Sequence, residues 1–305
     1  MRLDPYLRPL GWATLVANGV LVVTGGAVRL TGSGLGCPTW PHCTTEGDFT
    51  PRHAVSAHSL IEFGNRTLTF VLAAIAVATF VAAWQSRRRD LRLIALVIGL
   101  GIPAQAVIGG ITVLTDLNPW IVSLHLVSSL LIIALSVLFL RRVDGPAPAY
   151  VGGPLSMLAT LNSAVGWVVL YIGTVVTGSG PHAGDAKAPR NGLDPLQVSQ
   201  AHADVVFLFV GLTVALVVLL PVAGVPGEAA RAARVLLGLE VAQGVLGFVQ
   251  YFTDLPVVLV GLHMLGAALI AAAMTWLLLA VRERPLADAA QPAAQRPAGA
   301  SLGSE

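Results

Sequence analysis

Eight apolar runs decide what this chain can become. They fall at about 11–30, 57–84, 92–115, 120–140, 155–177, 199–223, 233–252 and 257–281. Each is close to the roughly 20 residues needed to cross the hydrocarbon core of a bilayer. Hydrocarbon offers no partner to a backbone amide, so each run must satisfy its own hydrogen bonds as a helix. Charge agrees with this reading. Only 11% of the 305 residues are charged, against about a quarter in soluble domains, and the mean hydropathy is +0.77. The expected fold is an all-α integral membrane protein with eight transmembrane helices, its partner surface membrane lipid. A net charge of +2 gives no reason to expect nucleic acid.

Basic residues set the orientation. Arginines gather before span one, between spans two and three (Arg87, Arg88, Arg89), after span four (Arg141, Arg142), before span seven and after span eight. The alternate loops hold only Arg52, Lys187 and Arg190. Both termini are therefore expected in the cytoplasm, with the chain a multi-pass protein of the cell membrane. The first run leads into "GGAVRLTGSG" rather than a small-residue cleavage pattern, so it reads as a body helix. The Ala/Pro-rich tail, 285–305, is expected to be disordered.

The chain repeats itself. At an offset of 138, Gln105, Gly109, Thr115, Asp116, Leu117 and His125 match Gln243, Gly247, Thr253, Asp254, Leu255 and His263. "TGSG" at Thr31–Gly34 recurs at Thr177–Gly180. Spans one to four thus correspond to spans five to eight. An even number of spans per unit makes both halves face the same way, related by an axis along the membrane normal. Two pseudo-symmetric four-helix bundles follow, an N-terminal half at 1–145 and a C-terminal half at 146–284. Small residues such as Gly109, Gly110, Gly244 and Gly247 are expected to let helices approach closely.

Ionisable groups in hydrocarbon cost several kcal/mol, so each asks for a reason. At ~1.5 Å per residue, His125 and His263 lie roughly 8–9 Å below the outer surface, and His202 is at a similar depth. Two neutral imidazoles facing each other inside a bundle suit a planar macrocycle with one axial ligand per face. The haem reading places His202 and His263 on the iron. The plainer alternative is a pair of packing histidines. Zinc would need three or four converging ligands, and these two supply only half.

The first half departs from the second. A local offset of 137 sets Asn65 opposite His202 and Glu62 opposite Ser199. One half therefore has two histidines, while the other has His125 and a carboxylate. His58, Glu62 and Asn65 share one helical face, expected to line the side of His125. A bis-histidine haem is coordinatively full and suits electron transfer, whereas an incomplete site leaves room for chemistry. The plainer reading of Glu62 is a buried ion pair with Arg66 at i+4, and the two readings are compatible.

Cys37 and Cys43, the only cysteines, lie in the first outer loop. On the oxidising side a disulfide is the expected state, with a reactive dithiol or a copper site with His42 as alternatives. His42, His53 and His182 read as solvated loop residues. The "TGSG" turns either present N–H groups to an anion or simply end helices. Asp116 and Asp254 read as turn residues. For Glu240 the default is a hydrogen bond to a neighbouring helix.

"GGAVRLTGSGLGCPTWP", "IEFGNR", "QAVIGGITV" and the histidines of spans four, six and eight together resemble the haem A synthase family of cytochrome oxidase assembly. The resemblance runs to about residue 281. It implies oxidation of a methyl group of haem O to a formyl group, consuming dioxygen and electrons. It implies a haem b cofactor on His202 and His263, and a haem O substrate near His125. The implied partners are haem O, dioxygen, an unnamed electron donor and a haem O synthase. The family's Glu-x-x-His-Arg motif falls on Glu62, Asn65 and Arg66, so asparagine stands where the family has histidine. His58 is then a candidate substitute near the substrate iron, and Glu62 the candidate catalytic group. The cysteine pair agrees with part of the family. Two rivals remain: a dihaem b-type electron-transfer cytochrome, which would be expected to carry four histidines, and a transporter built from repeats.

Overall fold

The structure is a computed structural model that describes residues 4–51, 55–145, 149–150, 152–225 and 227–284. Among these, eight helices are long and apolar enough to cross a membrane. They are α1 (Leu7–Leu30), α2 (Ala57–Gln85), α3 (Arg89–Leu114), α4 (Pro119–Asp144), α5 (Pro154–Ser179), α6 (Pro195–Val222), α7 (Gly227–Phe252) and α8 (Val257–Arg282). The chain is thus an eight-helix integral membrane protein. Large apolar side chains such as Val77, Leu100, Val218 and Phe252 face outward, as lipid contact requires. The tail expected to be disordered lies outside the described residues.

Local chemistry explains the helix starts. Ser56 and Ser59 form a reciprocal capping box at α2. Asn118 caps α4 and Asp194 caps α6, each followed by a proline at the first helical position, where no amide hydrogen is needed. Several helices begin a few residues before their apolar run, because a polar first turn adds length without adding hydropathy.

The helices close into two rings. α1 packs on α2 and α4, and α3 on α2 and α4; α5 packs on α6 and α8, and α7 on α6 and α8. The seam between the rings uses α4 against α8, α1 against α8 and α4 against α5. That set maps onto itself when the halves are exchanged, so the packing has the two-fold character read from the repeat. The largest core lies in the second ring and across the seam, around Phe209, Leu216, Leu236, Met274 and Leu277, with Leu130 and Ile133 of α4.

Charged contacts fasten the seam at both ends. At the end carrying the termini, the Arg142 guanidinium donates to both oxygens of Glu283, at 2.5 and 2.7 Å, and Arg141 pairs with Glu228. There the two-residue strands β1 (Ala149–Tyr150) and β2 (Glu283–Arg284) pair antiparallel, a small exception to the all-α expectation. At the opposite end, Arg29 of α1 donates to the carbonyls of Thr177 and His182 at 2.8 and 2.6 Å. Gly34 N–H donates to Gly184 O at 2.8 Å.

The repeat is visible in the backbone. Asp116 and Leu117 have φ of 52° and 60°, and Asp254 and Leu255 have 58° and 57°. Non-glycine residues in this left-handed region are uncommon, and here two in a row recur at matched places. Leu117 N–H reaches Thr112 O at 2.7 Å, and Leu255 N–H reaches Gln250 O at 2.9 Å, which closes α3 and α7 in the same way. The "TGSG" copies diverge. Gly32, at φ 67°, turns the chain after α1 while Ser33 N–H bonds to Val28 O. In the second copy α5 continues through Ser179.

Candidate functional site

The three span histidines share one setting. His125 on α4 lies against Gly109 of α3, His202 on α6 against Gly173 of α5, and His263 on α8 against Gly247 of α7. A Cβ at these glycines would come within 3.3, 3.2 and 3.7 Å of the respective ring Cε1 atoms. At Gly109 and Gly173 the ring lies so close that a side chain would crowd it, whereas at Gly247 a Cβ would be in ordinary contact. Gly109 and Gly247, expected to let helices approach closely, instead lie beneath histidine rings, as Gly173 does. Gly110 takes the Trp40 indole instead, and Gly244 faces open space, so it has no packing role.

His202 on α6 and His263 on α8 stand on the two helices of the second ring that both pack against α5 and α7. His263 Nδ1 is buried with no hydrogen-bond partner among the described residues, His202 has the Val169 backbone as a hydrogen-bonding neighbour, and both residues keep part of their surface open. Two partly open imidazoles from facing helices fit axial ligation of a haem. No cluster of three or more His, Cys, Asp or Glu side chains suited to a metal ion occurs among the described residues.

The first ring is built differently. Glu62 is only 5% exposed, and both its oxygens are engaged. Oε1 accepts from Arg66 Nη2 at 2.5 Å, and Oε2 accepts from the Cys37 N–H at 2.6 Å. Arg66 also donates to the carbonyls of Cys37, Thr39 and His42. Cys37 and Cys43 form a disulfide, and both are buried. The disulfide loop is thus held onto α2 by backbone hydrogen bonds to the two side chains of one ion pair, and Trp40 at its tip lies over Gly110 of α3.

The remaining residues of the expected face spread apart. Asn65 Oδ1 accepts from Thr24 Oγ1 of α1 at 2.8 Å. His58 is exposed, and its Nδ1 pairs with Ser33 Oγ at 2.9 Å. His125 faces α3, where the Gln105 amide lies 2.8 Å from its Nδ1. Gln105 entered the sequence reading only as part of the repeat. Its fixed place 20 residues before His125, like Gln243 before His263, was the available signal.

Other residues find partners. His182 is not simply solvated: its Nε2 lies 2.9 Å from Leu255 O. His53 lies outside the described residues. Glu240 accepts from Thr213 Oγ1 at 2.7 Å, and Asn162 donates to the same hydroxyl at 2.8 Å. This is the interhelical bond expected for it. Asp204, on the exposed side of α6, pairs with Gln200.

The profile of the COX15-CtaA family, described as cytochrome oxidase assembly protein, matches residues 8–187. The chain belongs to that family. It is 28% identical over 186 residues to the haem A synthase of Lysinibacillus sphaericus, covering 58% of this chain and 59% of the relative. It is 26% identical over 180 residues to that of Listeria welshimeri, covering 56% and 58%. With that of Geobacillus thermodenitrificans it shares 32% over 127 residues, covering 41% and 39%. The chain thus matches less than two thirds of the length of these curated relatives. The family match takes in Cys37, Cys43, His58, Glu62, Asn65, Arg66 and His125. His202 and His263 lie beyond it and stand on the repeat and the geometry.

Proposed function

We propose that this protein is a haem A synthase, oxidising a methyl group of haem O to a formyl group with dioxygen and electrons passed through a bound haem b. The observation that carries the reading is the asymmetry between the rings. The second ring has two span histidines, each partly open, on facing helices. The first has one span histidine at the matched position, His125, and a buried carboxylate, Glu62, held by an arginine and a backbone amide. Family membership and the names of the relatives support the substrate.

In this reading His202 and His263 hold haem b, which supplies one-electron transfer when bound. His125 holds the substrate haem O. Asn65 and His58 lie on the α2 side of that site, with Arg66 fixing Glu62. Two hydroxylations of one methyl carbon give a gem-diol, which loses water to become the aldehyde. Glu62 moves protons during these steps, and the Cys37 N–H and Arg66 set where its oxygens stand. The chain lies in the cell membrane with both termini cytoplasmic. An electron donor and a haem O synthase are its working partners.

The test is expression in a host that makes haem O but not haem A, followed by mass identification of the extracted haems. Haem A or its hydroxylated precursor is the expected product. A folded protein, supplied with oxygen and a competent electron donor, that yields only haem B and unchanged haem O would overturn the reading in favour of a dihaem electron carrier.

A further inference from the structure

Gln105 and Gln243 occupy the same position in the two halves, yet only one of them reaches its histidine. With its NH2 toward the ring, the Gln105 amide donates to His125 Nδ1 at 2.8 Å while its oxygen accepts from Ser128 Oγ at 2.7 Å and Ser129 N–H at 3.1 Å; turned the other way, its oxygen faces the ring and accepts from Ser129 Oγ at 3.2 Å. Gln243 lies instead against Gly266, one turn beyond His263, and His263 Nδ1 is buried without a partner among the described residues. The reason is legible at the repeat offset of 138: Ser128 and Ser129 correspond to Gly266 and Ala267. The first half has two hydroxyls that hold the amide on the ring; the second has none at those places.

An amide can serve either tautomer of an imidazole. Its NH2 donates to a bare Nδ1, and its oxygen accepts from a protonated one. A histidine that gives Nε2 to a metal keeps its proton on Nδ1, and a carbonyl accepting that proton fixes the ring and raises its basicity. We infer that Gln105, held by Ser128 and Ser129, is the positioning residue of His125 and makes it a stronger axial donor than His263, its counterpart in the second half. Iron bound at His125 is then easier to oxidise than it would be on an unsupported imidazole. The inference rests on the assignment of His125 to the substrate haem.

The test uses the full-length protein loaded with haem O, as wild type, Gln105→Leu and Gln105→Glu, with Gln243→Leu as the control. The readouts are the reduction potential of the first-half haem and the iron–histidine stretching frequency of its reduced form. Gln105→Leu should raise the potential by the equivalent of about tenfold in the reduction equilibrium, ~59 mV for one electron, and lower the frequency. Gln105→Glu should move both the other way, and Gln243→Leu should move neither. Equal shifts of one sign in Leu and Glu variants would show a packing effect and overturn the inference. So would wild-type values in both. If Gln105→Leu fails to fold, the Ser128→Gly/Ser129→Ala variant, which gives the first half the residues of the second, should show the same rise; no rise would overturn the inference. A folded wild type that takes up no haem O at His125 would sink the functional reading itself, a result distinct from either.

Discussion

On α6, His202 rests against Gly173 of α5. At the matching place on α2 stands Asn65, tied to Thr24 of α1, and one turn earlier a glutamate is locked to a disulfide loop. Both rings share helix order, the doubled left-handed turn and the glycine beneath the outer histidine. They differ in a few side chains. In the proposed function, the asparagine in place of His202 and the carboxylate in place of Ser199 separate an open site in the first ring from a closed electron-transfer site in the second.

The sharpest way to break this comparison is to remove a second-half histidine. His202→Ala or His263→Ala should abolish the low-spin haem b spectrum and, with it, haem A output. A retained spectrum in both variants, read by absorption of the purified protein, would end the assignment of that half.

Next comes Glu62. Glu62→Gln should lower haem A output by about 100-fold, the lower end of what a positioned acid–base group contributes, and leave the haem b spectrum intact. The substitution keeps the volume but leaves Arg66 without its counter-charge, so a further loss of about 1–3 kcal/mol in stability is expected. Product quantified per haem b separates the two effects. Unchanged output would reduce Glu62 to the ion-pair role alone.

Much of this was legible before any coordinates. Eight spans could be marked within a few residues, because hydrocarbon forces one backbone solution on every apolar run. The helix starts at Leu7, Pro195 and Gly227 escaped, because Arg8, Pro9, Pro195, Gln197 and Glu228 interrupt the apolar run in those first turns. The histidines stood out through their repeated place, and the pairing of Glu62 with Arg66 followed from helical spacing. The Cys37 N–H on Glu62 could not be read, since a backbone donor has no sequence signature. The scatter of His58, Glu62 and Asn65 toward different neighbours was hidden too. Sharing a helical face does not say which partner each side chain meets. For Glu240 the expected interhelical bond was right, but only packing of α6 on α7 identifies Thr213.

A smaller effect is expected at the disulfide. Cys37→Ser/Cys43→Ser should lower stability by about 2 kcal/mol, the value for closing so short a loop, and loosen the Cys37 amide from Glu62. Haem A output should fall while the haem b spectrum stays. A loss of haem b in this variant would mean the two rings are not independent at the loop end of the bundle.

The finest test compares glycines beneath rings. A methyl at Gly173 would come within 3.2 Å of His202 Cε1, whereas one at Gly247 would stand 3.7 Å from His263. The first is tighter than ordinary contact and forces the ring or helix to give, which typically costs about 1–3 kcal/mol in a packed core. The second is van der Waals contact and costs little. Gly173→Ala should therefore shift and weaken the haem b spectrum, and Gly247→Ala should leave it near wild type. Gly109→Ala, at 3.3 Å from His125, should spare haem b and disturb only haem O uptake. If Gly247→Ala proved as damaging as Gly173→Ala, His263 would have to lie as close to α7 as His202 does to α5, and the predicted difference between the two glycines would fail.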